Sequence, residues 1–293
     1  MTDQPFISVI IPVWNSPDLL AKCLAALAVQ SYPRERYEVL VVDNGSTDST
    51  AAVARNYPFV TLLSEPVPGA YRARNRGLAA ARGEYVAFTD ADCIPDPEWL
   101  TAGARTGRRN PAAGVLAGQV DLFRDGSVGS AACEKYEYAF EFDQAKNVRH
   151  GVCVTANWMS PRATLLQFRG FDESLKSGGD WHLCGRIHAA GHPIIYVPEM
   201  RVRHPVRASL SQLAAKRRRV IGGRWQSTQR RWRFLWCSAF VVKRTTKRII
   251  GTASDRRFSL LDRARIIGVV VALSAVGIVE LIRLAWGGEA KRA

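Results

Sequence analysis

The sequence predicts an α/β protein built on a doubly wound, mostly parallel sheet, extended by a basic helical C-terminal region. Three observations predict it. Apolar β-rich runs alternate with segments of about a dozen residues at helical spacing. The runs end in turn-forming polar residues. The charge is divided unevenly: residues 201–293 hold 22 Lys/Arg and 4 Asp/Glu, against 19 and 22 in residues 1–200.

The elements follow in order. "FISVIIPVWN" (6–15) is a β-rich run closed by Pro12 and Asn15, and "DLLAKCLAALAVQ" (18–30) repeats apolar residues at helical spacing. "YEVLVVDNGSTDST" (37–50) is a second strand ending at Asp43, after which Ser46 or Asp48 can cap the helix that follows. "FVTLLSE" is a third strand, "YRARNRGLAAARG" a helix and "EYVAFTDADC" a fourth strand. Such βαβ units are right-handed, and ligands of open α/β sheets bind beyond the carboxyl ends of the strands. Asp43 and the pair Asp90/Asp92 fall on that rim. Neither GxGxxG nor GxxxxGK[ST] occurs, so dinucleotide and P-loop sites have no direct support.

The start of the chain lacks a basic n-region and a cleavage site, so its apolar run reads as a strand and no signal peptide is expected. Six cysteines without a CxxC pair fit neither a zinc site nor a disulfide framework and point to reduced thiols in the cytosol. Two carboxylates separated by one alanine repel each other unless a cation lies beside them, and hard oxygen donors suit Mg²⁺ or Mn²⁺. DxD is short, and by itself it is equally at home in a solvated turn.

In combination, "SVIIPVWN", "VLVVDNGSTDST", "ARNRGLAAARGEYVAFTDADC" and "FDESLKSGGDWHLCGRIHAAGH" resemble the inverting family 2 glycosyltransferases of the GT-A fold, over roughly residues 6–205. The resemblance implies a nucleotide-sugar donor, commonly a UDP-sugar, and a Mn²⁺ or Mg²⁺ cofactor. It implies that Pro12 and Trp14 line the nucleoside pocket, that Asp43 accepts a hydrogen bond from base or ribose, and that Gly69, Arg74 and Asn75 belong to a segment closing over the nucleoside. Asp90 would contact the ribose and the metal shell, and Asp92 would hold the metal. Asp180 aligns with the general base, His204 with a histidine completing the metal shell, and Asn157 with the sugar or acceptor side. Each has a structural alternative: core or lid packing for Trp14, turn chemistry for Asp43, a strand end for Asn157. Arg72, Arg74, Arg76 and Arg82 crowd one helix, and the sequence does not say which reaches a phosphate. Many relatives carry an acidic residue before the base where this chain has Gly179, so the assignment rests on Asp180 alone, with His182 as a competing base.

The expected organisation is a catalytic domain over 1–205 and a basic, aromatic and apolar tail over 206–293. "FLWCSAFVV" (234–242) lies between basic residues, and "IIGVVVALSAVGIV" (266–279) has 14 uncharged residues before Glu280. Fourteen helical residues reach roughly 21 Å against a hydrocarbon core of about 30 Å. The tail therefore reads as interfacial or re-entrant on an anionic membrane, at the cytoplasmic face of the inner (plasma) membrane. A span over 266–286 and a buried dimer helix are the alternatives, and nucleic acid is the disfavoured partner. "QRRW" (229–232) is one residue short of the QxxRW signature of processive synthases and reads as coincidence. The function expected is transfer to a cell-envelope, glycan or lipid-linked hydroxyl acceptor. The alternative is a non-catalytic membrane-associated scaffold on the same fold.

Overall fold

The computed structural model describes residues 4–126, 128–228 and 231–290. Gln229 and Arg230 of "QRRW" lie outside the described residues. The chain forms two units. The first takes the residues up to Phe123, with Phe142–Glu173 and Gly179–Pro205; the second takes Arg124–Glu141, Ser174–Gly178 and everything from Val206 onward. Two inserts from within residues 1–205, Arg124–Glu141 and Ser174–Gly178, thus belong to the second unit.

The first unit is built on one eight-stranded sheet. Its strands are β1 (Ile7–Val13), β2 (Tyr37–Asp43), β3 (Val60–Ser64), β4 (Tyr85–Thr89), β5 (Ile94–Pro95), β6 (Val115–Phe123), β7 (Asn157–Pro161) and β8 (Ile194–Pro205), in the order β3-β2-β1-β4-β7-β6-β8-β5. The half from β3 to β4 is parallel. β7 then runs antiparallel to both β4 and β6, and β5 antiparallel to β8, while β6 and β8 are parallel. The sheet is thus mixed, and the expected doubly wound pattern holds only in its N-terminal half. The reason is that residues 157–161 and 94–95 are too short to show a direction and take it from their neighbours.

β1 and β2 are buried along nearly their whole length, as strands covered on both faces must be. The covering helices include α1 (Pro17–Ala28), which buries Leu20, Cys23, Leu24 and Leu27, and α3 (Ala70–Ala80). α3 sits close because Gly77 has no Cβ: one placed there would lie 2.5 Å from Cγ2 of Ile10. Between them, α2 (Thr50–Arg55) begins where Asp48 Oδ1 accepts hydrogen bonds from the Thr50 amide (3.0 Å) and hydroxyl (2.5 Å). Ser46 does not cap it; its hydroxyl accepts the Asn15 N–H at 3.0 Å. Short helices α4 (Trp99–Arg109), α6 (Gln144–Arg149), α7 (Arg162–Gln167) and α8 (Gly179–Ala189) complete this unit.

The second unit is helical: α5 (Ala131–Phe140), α9 (Leu210–Ser227), α10 (Arg233–Ser254) and α11 (Leu260–Ala285). Two apolar clusters hold it, one joining Tyr136 and Leu213 to Ile266 and Leu273, the other Trp225 and Val241 to Leu281. Its buried carboxylates are paired: Glu137 with Arg207 and Lys216, and Glu141 with Lys216 and Arg248. Among the described residues α11 is the one helix long and apolar enough to cross a membrane. It runs well beyond the 14-residue core read from sequence, because Glu280 is buried against Arg283 at 2.6 and 3.0 Å and does not end the helix. The six cysteines are free and buried.

Candidate active site

The rim beyond the C-terminal ends of β1, β2 and β4 is assembled by register. Val13 lies beside Asp43 and Ile10 beside Phe88, so Trp14, Asp43 and Asp90 leave the sheet at one end. The β1–α1 and β2–α2 loops are stitched together there. The Thr47 N–H donates to Asn15 Oδ1 at 2.9 Å and the Ser16 N–H to Thr50 Oγ1 at 2.9 Å. Asn15 adopts a left-handed backbone (φ 46°), which asparagine tolerates better than most residues. Pro12 is half-buried in β1 and Trp14 is 41% exposed above it. Asp43 Oδ1 accepts the Ser46 N–H at 3.0 Å, a turn-forming contact that engages one of its two oxygens.

Asn44, which the sequence reading did not single out, anchors the segment before α3. Its Nδ2 donates to the carbonyls of Glu65 and Val67 at 2.8 Å, and its Oδ1 accepts the Gly69 N–H at 2.7 Å. Its place within "DNGSTD" was the available signal. Along α3 and just beyond its C-terminus the four arginines separate. Arg72 pairs with Glu173 on the surface, and Arg76 is exposed. Arg82 joins the buried Glu38, whose pKa burial would raise but which Ser8 and Arg82 hold below its ordinary value. Arg74 alone points to the rim: it is 6% exposed, and its Nη2 lies 2.5 Å from Asp90 Oδ1. Its buried Nε has no hydrogen-bond partner among the described residues.

Asp92 meets His204 because β5 turns back directly after it. Ile94 pairs with Arg203 at the end of β8, which brings His204 Nε2 to 3.2 Å from Asp92 Oδ2. His204 Nδ1 lies 2.7 Å from the Pro205 carbonyl and donates to it, so Nε2 faces the carboxylate oxygen either as an N–H of the doubly protonated ring or as a lone pair. In either form a positive charge joins the two groups, a proton on Nε2 or a cation beside them. The donor set of one carboxylate and one imidazole fits a divalent cation. Among the described residues no group of three or more His, Cys, Asp or Glu forms a self-sufficient metal cage, so further ligands would come from substrate.

Asp180 lies in the first turn of α8. Its Oδ1 accepts the Trp181 N–H at 2.9 Å and the Tyr71 hydroxyl at 3.4 Å. Burial raises its pKa above the ordinary aspartate value, with Arg74 and hydrogen bonds opposing and Asp90 adding to the rise. The Arg74 guanidinium stands 5.6 Å from the Tyr71 ring centre, so Asp180, Tyr71, Arg74 and Asp90 form one contiguous set.

Two expected site residues lie elsewhere. Asn75 spends both amide hydrogens on the Phe171 carbonyl (2.8 Å) and Glu173 Oε1 (3.0 Å), while its Oδ1 accepts the Phe171 N–H. It clamps the loop after α7 and has no donor left for a nucleoside. Asn157 is fully buried. It donates to the carbonyls of Gln119 (2.8 Å) and Met200 (2.7 Å) and accepts from Trp99 Nε1 (2.8 Å). It bridges β6 and β8 where their register shifts between Gly118 and Gln119, and it offers no surface to a sugar. Two clefts of about 560 and 430 Å³, lined by Arg36, Arg82 and Arg162 or by Arg105 and Arg108, touch none of these site side chains.

The sequence model described as glycosyl transferase family 2 matches residues 8–165. The chain belongs to this family. Glycosyltransferase AglE of Haloferax volcanii is 33% identical over 228 residues, which cover 76% of this chain and 74% of AglE. Two solved structures share the GT-A fold. A mannosyltransferase from Pyrobaculum calidifontis, in complex with GDP-Man and Mn²⁺, aligns with TM-score 0.64 and 20% identity over 98% of this chain and 89% of its own. TarS residues 1–349 of S. aureus, in complex with UDP-GlcNAc, aligns with TM-score 0.57 and 18% identity over 98% and 93%. The protein is therefore a glycosyltransferase.

Because Asn157 satisfies three partners inside the sheet, Asn157→Ala is expected to destabilise the protein by about 3 kcal/mol or more, the cost of stranded buried hydrogen-bonding groups. Donor binding by the folded fraction should stay close to wild type. Denaturant unfolding and calorimetry on the same preparation check this; normal stability with lost transfer would return Asn157 to the sugar side.

Proposed function

We propose that the protein transfers a sugar, with inversion, from a nucleoside-diphosphate sugar to a hydroxyl of a lipid-linked or other cell-envelope acceptor at an anionic membrane surface. The observation that carries the catalytic part is the contiguous set Asp180–Tyr71–Arg74–Asp90 beside the Asp92–His204 pair. It joins a proton acceptor to groups suited to a diphosphate. GDP-Man and UDP-GlcNAc in the complexes of the two neighbours support this donor class, and a UDP-sugar is the first candidate.

The residues divide the work as follows. Trp14, Pro12 and Asp43 receive the nucleoside at the stitched loops. Arg74 holds Asp90 in place and puts a positive charge beside it. When bound, a divalent cation held by Asp92 and His204 supplies charge neutralisation for the leaving diphosphate. Asp180 takes the proton from the acceptor hydroxyl as that oxygen bonds to the anomeric carbon. The bond from that carbon to the diphosphate breaks, and its electron pair leaves with the phosphate oxygen. One catalytic carboxylate and one displacement give one inversion.

The membrane part rests on the second unit. α10 exposes Leu235, Trp236, Val242 and Ile250, and α11 exposes Val271 and Val279, in the part of the chain with an excess of 18 positive charges. Cations lie against aromatics here, Arg233 over Trp225 at 4.2 Å and Arg224 over Phe240 at 4.8 Å. Apolar faces framed by Lys and Arg suit an anionic bilayer surface, peripherally or re-entrantly at the cytoplasmic face.

Asp180→Asn should lower transfer by roughly 10²–10⁴-fold while leaving donor affinity near wild type. A panel of UDP-glucose, UDP-GlcNAc and GDP-mannose with Mn²⁺ supplies the assay. Loss of donor binding in the variant would make Asp180 a phosphate-side residue. Raised salt should release the protein from anionic vesicles only in part, since apolar burial is not screened. Leu235→Asp with Trp236→Asp should abolish flotation in high salt. Complete release of the wild type by salt alone would remove the inserted faces from the account.

A further inference from the structure

We infer that Tyr71 is a positioning residue for Asp180, and that position 179 is glycine because the Tyr71 ring occupies the space its side chain would take. The inference rests on the reading of Asp180 as the base.

The geometry carries both halves. A Cβ built on Gly179 would lie 2.7–2.9 Å from three atoms of the Tyr71 ring. Real Cβ contacts are not that short, so any side chain at 179 displaces the ring or the first turn of α8. The ring has little room to yield. It is 8% exposed, stacked on Phe171 at 5.6 Å with 20° between planes, and it has the Arg74 guanidinium 5.6 Å from its centre. Phe171 is fixed in turn by the clamp from Asn75. The Tyr71 hydroxyl, at the end of this rigid stack, donates to Asp180 Oδ1 at 3.4 Å, an oxygen that also accepts the Trp181 N–H.

The groups facing Asp180 come from several elements. Tyr71 and Arg74 face it from α3, Asp90 from the end of β4, the Trp181 amide from α8, and the backbone at Thr155 from the loop before β7. Tyr71 is the neutral side chain among them that orients the carboxylate without adding charge. It thereby replaces, by a hydrogen bond from α3, an acidic neighbour at position 179. Long contacts of this kind in ligand-free enzymes tighten when substrate binds. The signal was present in the sequence as Tyr71 and Arg74 three residues apart, on one helical face.

A double-variant cycle tests the hydroxyl. The probes are UDP-GlcNAc and GDP-mannose with Mn²⁺, with transfer and hydrolysis rates read beside donor affinity. Tyr71→Phe keeps the stacked ring and removes only the donor. It should lower turnover roughly tenfold with donor affinity unchanged, the usual weight of one hydrogen bond to a charged group. In the Asp180→Asn background it should cost nothing further, because the group it positions is gone. Wild-type turnover in Tyr71→Phe, or losses that multiply in the double variant, would overturn the positioning role. Full turnover in Asp180→Asn alone would instead overturn the reading of Asp180 as base. The steric half needs no substrate. Gly179→Ala should lower the thermal midpoint in the wild type and cost little or nothing in a Tyr71→Ala background. An equal penalty in both backgrounds would overturn it.

Discussion

The site depends on one contact between groups that repel when neither carries an added charge: Asp92 Oδ2 and His204 Nε2, 3.2 Å apart. Much of the first unit's C-terminal half is arranged to impose it. β5 is only two residues long, yet its pairing with β8 folds the end of "DADC" back onto His204. β8 reaches that position through a register shift against β6, and Asn157 holds the shift from inside by bonding both strands. Gly118 leaves the space: a Cβ there would lie 2.2 Å from the Met200 carbonyl oxygen and 2.3 Å from Asn157 Nδ2. The Pro205 carbonyl holds the Nδ1 side of the ring, so Nε2 is aimed at Asp92 before any ligand arrives.

A second constraint acts along α3. Arg72 and Arg74 on this helix and Arg82 just beyond it have different duties, set by where each side chain points. Arg82 closes a buried network with Ser8 and Glu38 beyond the helix's C-terminus, Arg72 meets Glu173, and Arg74 is committed to Asp90. Tyr71 shares the face of Arg74, so the helix that orders the donor-side aspartate also reaches the aspartate read as the base. Fold and chemistry are coupled there through packing: Gly77 lets the helix approach β1, and Gly179 lets α8 approach the helix.

How much of this was legible depended on how local the determinant was. The strands β1 to β4 and helices α1 and α3 were readable because each carries its own apolar period. The rim of Asp43, Asp90 and Asp92 followed from their places after strand ends. β5 and the antiparallel direction of β7 were not readable, since two and five residues carry no period and their partners lie far along the chain. The hydrogen-bond engagement of Asn157 and Asn75 was not readable for a related reason. A polar residue at a strand end or on a helix reads as available, and only the fold shows that its hydrogen bonds are already spent. Arg74 could be separated from its three neighbours only once Asp90 had a position in space. That α11 continues past Glu280 was not readable from the apolar run alone, because Glu280 is buried against Arg283 three residues on.

The central claim is that Asp92 and His204 form half of a cation site that a nucleoside diphosphate completes. Its most direct measure is the paramagnetic resonance signal of free Mn²⁺ titrated with protein, with and without UDP or GDP. The account predicts weak binding to protein alone, a marked gain when a diphosphate is present beyond that of the nucleotide by itself, and loss of that gain in His204→Ala. Equal Mn²⁺ binding by wild type and His204→Ala in the presence of either nucleotide would contradict it.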